Sequence, residues 1–161
     1  MSNQTAVIGL GNTLRRDDGI GIAVLESLLK FYPRKDIDYL DFGVASFDLI
    51  HRLQEYKRVI LIDGIDANLA TAALKIFTLS QASYTLASST ISTHELDLKG
   101  LFELCKKFEV KTKIFIAGIQ VADTAFGEGL TPQLKSKLSG ITKEISIFID
   151  KKLCVTPSRE K

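Results

Sequence analysis

The sequence predicts an α/β fold: a three-layer sandwich whose twisted, mostly parallel five-stranded sheet carries helices on both faces, with one strand antiparallel. Three observations predict it. Near-continuous apolar runs at 4–10 (QTAVIGL), 57–63 (KRVILID) and 112–121 (TKIFIAGIQV) read as strands buried on both faces. Segments with apolar residues at helical spacing separate the runs, and that alternation is the pattern of βαβ crossovers. Between Asp63 and the run at 73–79 (ALKIFTL) too few residues remain for a parallel crossover, so that strand is the antiparallel one.

Each element follows in order. After the strand at 4–10, Ile20, Val24, Leu25 and Leu28 repeat at helical spacing to about residue 31, where Pro33 ends the segment. Residues 36–42 (DIDYLDF) alternate apolar and polar as a half-buried strand, and a short helix is expected over 46–55. The strands at 57–63 and 73–79 precede a helix with Leu98, Leu101, Phe102, Cys105 and Phe108 on one face, and then comes the strand at 112–121. Thr131 and Pro132 supply an N-cap and an N1 proline for a last helix carrying Leu134, Leu138, Ile141, Ile145 and Phe148. The expected domain is 1–152, a single unit, with 153–161 as a frayed basic tail.

Composition narrows the function classes. Of the net +2, residues 151–161 hold +3, which leaves the body at −1 and offers no basic face for nucleic acid or membrane lipid. Cys105 and Cys154 are far apart and form neither a disulfide framework nor a zinc knuckle, which fits a reducing, cytoplasmic setting. No run approaches the ~20 apolar residues of a membrane span, and the first residues lack the features of a signal peptide. A soluble cytoplasmic monomer is expected.

In doubly wound folds ligands sit at the carboxyl ends of the strands, so the loops after residues 10, 42, 63 and 121 should converge. The first, Gly9 to Gly21, contains GxG, but Leu14 replaces the third glycine of a dinucleotide fingerprint, and Asp17 and Asp18 would repel a pyrophosphate. Capping and dipole compensation at the next helix would occupy one of these acids and leave the other little to do. Asp63 emerges from the run Val59 to Ile62 into the crevice, either to accept loop amide hydrogen bonds or to do chemistry, and Asp66 reads as a turn residue. Ser92 and Glu95 have capping-box spacing, which places His94 in a helix's first turn, where the dipole favours the neutral imidazole that can ligate a metal over the charged form; the bland alternative is a surface histidine. His51, beside Arg52 on an outward-looking helix, has no assigned role.

Asp18, Asp63 and His94 together offer two oxygen ligands and one imidazole from three loops. Three ligands leave open positions, as in a catalytic or recognition site for zinc, nickel or a similar divalent ion. HExxH, GxSxG and a P-loop GK[ST] are absent, Cys105 lies in an apolar stripe, and Cys154 lies in the tail, so no nucleophile stands out. A phosphoacceptor receiver domain needs a lysine after the fifth strand, where this chain has Ala117 to Asp123 without one.

The segment VIGLGNTLRRDDGIG resembles the signature of the hydrogenase maturation endopeptidases, which remove a carboxyl-terminal extension from the large subunit of nickel-iron hydrogenases. DFGVASFDL, VILIDGID, ISTHELDL and GIQVADTAFGEGLTPQL resemble that family's later segments, in the same order and at similar spacing. The resemblance implies an α/β sandwich with no covalent nucleophile and no resident metal, in which Asp18, Asp63 and His94 recognise nickel already inserted in the large-subunit precursor. It also implies substrate contacts at Asn12, Asp41 and Gln120, although Phe42 stands where a paired glycine is common. Arg15 and Arg16 either hold acidic groups of the precursor or form a solvated loop face, and Asp123 shares the crevice with Gln120. Non-enzymatic alternatives are a nickel-binding maturation scaffold and a nucleotide-binding module.

Overall fold

The computed structural model describes residues 2–81 and 98–153. Its strands are β1 (Thr5–Leu10), β2 (Asp38–Gly43), β3 (Arg58–Ile65), β4 (Leu74–Thr78) and β5 (Lys113–Gln120). The helices are α1 (Ile20–Phe31), α2 (Asp48–Leu53), α3 (Leu98–Lys107) and α4 (Pro132–Phe148), with a 3-10 turn at Arg16–Gly19 ahead of α1 and a π-helical turn at Ile149–Leu153. The sheet order is β2-β1-β3-β5-β4. All neighbours are parallel except β4 on β5, where Leu74 pairs with Ile119 and Thr78 with Phe115. The mixed sheet and its one antiparallel edge strand are those expected from the apolar runs.

Strand alternation divides the core into two layers. Ala6, Ile8 and Leu10 of β1 and Val59 and Leu61 of β3 pack with Leu49 and Leu53 of α2 and Leu101 and Cys105 of α3. Val7, Ile60 and Ile62 face the other way and pack with Val24 and Leu28 of α1 and Leu134 and Ile145 of α4. Both faces of the central strands are therefore apolar, which is why their sequences read as unbroken runs. No helix of the described residues is long and apolar enough to cross a membrane.

Three expectations change. Phe108 leaves the buried stripe because α3 ends at Lys107 and the chain turns through Glu109 at φ +52°, which leaves the ring exposed. The ordered body runs past residue 152: Leu153 is fully buried and its carbonyl accepts hydrogen bonds from Arg58 Nη1 (2.9 Å) and Thr5 Oγ1 (3.3 Å). Asp63 is not at the tip of its strand, because β3 continues through Gly64 and Ile65 in register with Ile119 and Gln120.

Candidate functional site

The chain passes from β1 to β2 on one side and then to β3 on the other, so strand order reverses between β1 and β3. The site grows from the loop that leaves β1 at this switch point. Its glycines are there for close packing and not for a phosphate. A Cβ on Gly21 would lie 2.2 Å from the carbonyl oxygen of Ile62 and 2.3 Å from that of Leu10, so only glycine lets the start of α1 rest on both strands. Gly11 holds φ +141° with the Asp18 carbonyl 2.0 Å from where its Cβ would be. The chain thereby folds back tightly, and Asn12 N–H donates to Asp18 Oδ2 at 3.0 Å.

The same packing sets the turn that carries Asp18 against the strand that carries Asp63. Gly21 approaches the Ile62 carbonyl, and a Cβ on Gly64 would lie 3.3 Å from the Asp17 carbonyl oxygen, so the start of α1 and the 3-10 turn before it rest on β3 either side of Asp63. Asp18 and Asp63 are both buried, at 4% exposure each. Both carboxylates are thus withdrawn from water, and one oxygen of Asp18 already accepts the Asn12 amide. His94 lies outside the described residues, as do Ser92, Glu95 and Cys154. Among the described residues, no group of three His, Cys, Asp or Glu side chains is placed to hold a metal.

Neither Asp17 nor Asp18 is the helix cap expected of one of the pair. Gly19 is the N-cap of α1, and no side chain caps either α1 or the 3-10 turn. The Asp17 carboxylate, at 0% exposure, instead accepts from Ala122 N (2.9 Å), Asp123 N (3.1 Å), Thr131 Oγ1 (3.0 Å) and Thr131 N (2.7 Å). It fastens the β5–α4 loop to the turn that carries Asp18. Thr131 does stand at the N-cap of α4 with Pro132 behind it, but its hydroxyl goes to Asp17 and not to the helix. A fully buried acid binding a loop over a hundred residues away leaves no local signal in the sequence.

The remaining expected residues are placed as follows. Gln120 Oε1 accepts from Ala67 N (2.8 Å) and Leu69 N (3.2 Å), while Nε2 donates to Asp66 Oδ1 (3.1 Å) and Val121 O (3.0 Å), so the amide's hydrogen bonds are made within the chain. Asp66 is thereby part of a clamped turn. Asp41 is exposed and accepts from Gly43 N (3.0 Å), shaping the loop whose Gly43 carbonyl receives Gly11 N–H (2.8 Å). Asn12 Oδ1 accepts from Leu14 N (3.0 Å). Arg16 pairs with Asp123 at 3.3 Å, and Arg15 Nε donates to Thr124 O at 3.1 Å, so both arginines brace the loop as well as facing solvent. Burial pushes the Cys105 thiol up to about 11, so it stays protonated and unreactive near neutrality.

The chain matches the sequence profile described as "Hydrogenase maturation protease" over residues 22–146, more than half of its length. It belongs to that family. Among curated hydrogenase maturation relatives, it is 23% identical over 136 residues to the hydrogenase expression/formation protein HupD of Thiocapsa roseopersicina, covering 83% of this chain but only 62% of that one. It is 23% identical over 141 residues to the hydrogenase 2 maturation protease of Escherichia coli, covering 86% of each. Its fold is that of the E. coli hydrogenase maturating endopeptidase HybD, with TM-score 0.78, 22% identity and coverage of 92% and 93%. The HybD maturation protease of Thermococcus kodakarensis aligns with TM-score 0.70 and 24% identity over 94% and 99% of the two chains.

Proposed function

We propose that this hydrogenase maturation protease is an endopeptidase that removes the carboxyl-terminal extension of a nickel-iron hydrogenase large-subunit precursor after nickel insertion. Asp18, Asp63 and His94 recognise the nickel, which arrives as part of the substrate. The carrying observation is that Asp18 and Asp63, each at 4% exposure, are buried acids on a turn and a strand that pack against each other at the switch point of a chain in this family. Neutral imidazole from His94 completes a mixed oxygen and nitrogen set with open positions toward the precursor. Docking presents one peptide bond to a water molecule, and Asp18 or Asp63 serves as the base that takes its proton. With Cys105 buried and protonated, hydrolysis proceeds without a covalent intermediate on that thiol. The protein acts in the cytoplasm as a monomer.

The test mixes the protein with nickel-loaded and nickel-free precursor and follows large-subunit mass. Shortening of the nickel-loaded form alone, lost in His94→Ala and Asp63→Asn, is expected. Equal cleavage of both forms, or full activity of His94→Ala, refutes nickel recognition. A precursor that is bound yet never shortened makes the protein a maturation scaffold instead.

A further inference from the structure

We infer that the β5–α4 loop is a docking lip for the substrate protein and that Phe126 is its apolar contact. The inference rests on the endopeptidase reading above and adds to it the surface that holds the partner. Phe126 is 81% exposed, the highest value among the large apolar side chains described, yet the backbone around it is fixed on every side. Gly127 N donates to Leu14 O (2.9 Å) and Gly127 O accepts from Arg16 N (3.0 Å), forming an isolated parallel bridge to the first loop. The Arg15 guanidinium stands 5.4 Å from the Phe126 ring centroid while its Nε holds Thr124 O. Beneath this the buried Asp17 carboxylate anchors both ends of the loop, at Ala122 and Asp123 and at Thr131.

An exposed aromatic ring held in place beside an arginine has the composition and pre-organisation of a protein-protein hot spot, because little conformational freedom remains to be lost on binding. Leu14, 59% exposed on the bridged strand of the first loop, extends the same apolar surface. The occupant follows from continuity. The loop that bears Leu14 and Arg15 runs directly into Asp18, so a protein that brings its metal to Asp18 lies across this lip with an apolar stretch on Phe126.

The experiment measures steady-state cleavage of nickel-loaded precursor, and precursor binding by interferometry, for wild type, Phe126→Ala, Phe126→Leu and the control Phe31→Ala. Phe31 is 63% exposed at the far end of α1, away from the acids. Phe126→Ala should raise KM and the precursor Kd about tenfold with kcat unchanged, as expected for truncation of a hot-spot side chain. Phe126→Leu should recover most of this, and Phe31→Ala should match wild type. Values for Phe126→Ala within twofold of wild type overturn the lip, as does a change confined to self-association in sedimentation, which would assign the surface to a second copy of this chain. Wild type that binds precursor through Phe126 without cutting it sinks the endopeptidase reading and leaves the lip standing. Wild type that neither cuts nor binds precursor sinks both.

Discussion

Replacing Asp17 by alanine removes one acceptor group from four donors at once, and the structure sets the scale of the loss. The carboxylate is fully buried and receives three backbone N–H groups and one hydroxyl at 2.7–3.1 Å. Hydrogen bonds to a charged acceptor contribute about 1.5–3 kcal/mol each, but they do not add. Ala122 is exposed and Asp123 and Thr131 are half-buried, so water takes over some of the released donors. The expected cost is about 3–5 kcal/mol, the range for removing one member of a buried charged network. Asp17→Asn should cost less, about 2–3 kcal/mol, because its amide nitrogen can turn toward Thr131 N, the single donor on Oδ1, while its oxygen keeps the three donors on Oδ2. Thr131→Val removes only the hydroxyl bond, about 1 kcal/mol. Because the chain has no tryptophan, the assay is urea unfolding followed by far-ultraviolet circular dichroism. For a domain of this size the alanine variant should melt about 10 °C lower. A loss below about 1 kcal/mol for Asp17→Ala, or a reversed order of the three variants, refutes the role of Asp17 as the fastener of the β5–α4 loop.

Three further outcomes are expected. Gly21→Ala should destabilise by about 3 kcal/mol or more, since its Cβ meets two backbone carbonyls, whereas Gly140→Ala, with open space at a mid-helix site, should stabilise by about 0.5–1 kcal/mol; thermal melts of the pair compare them. Gln120→Leu keeps the bulk but leaves Ala67 N and Leu69 N without their acceptor, so hydrogen exchange at those two amides should accelerate and stability fall by about 2–4 kcal/mol. Burial, reinforced by the hydrogen bond to Asp38, pushes the Tyr56 hydroxyl up to about 12, so the folded state retains that proton longer than the unfolded chain. Its stabilising contribution is intact below pH ~10 and disappears as pH rises through about 12; urea midpoints across that interval should fall less in Tyr56→Phe than in wild type.

Much of the fold was legible because burial on both faces writes itself into sequence as apolar runs, and because β3 to β4 leaves no room for a crossover. Asp18 and Asp63 were legible as candidates for a related reason: a carboxylate beside a strand of Ile and Leu conflicts with its surroundings, and such conflicts mark sites. Phe108 was misplaced because helical spacing continues past Lys107 while the backbone does not, the turn at Glu109 having no glycine to announce it. Gln120 reads from sequence as a crevice residue, and in the structure both ends of its amide hold the turn at Asp66–Leu69.

By itself the sequence determined the element order, the mixed sheet and the apolar layers, because each is a local pattern of hydrophobicity or spacing. Only the tertiary structure decided how adjacent Asp17 and Asp18 divide their work. Asp17 turns to amides and a hydroxyl more than a hundred residues away, while Asp18, next to it in the chain, takes the amide of Asn12. Two identical side chains in one short turn carry identical chemical information, and which of them fastens the distant loop depends on the three-dimensional direction the turn gives each carboxylate.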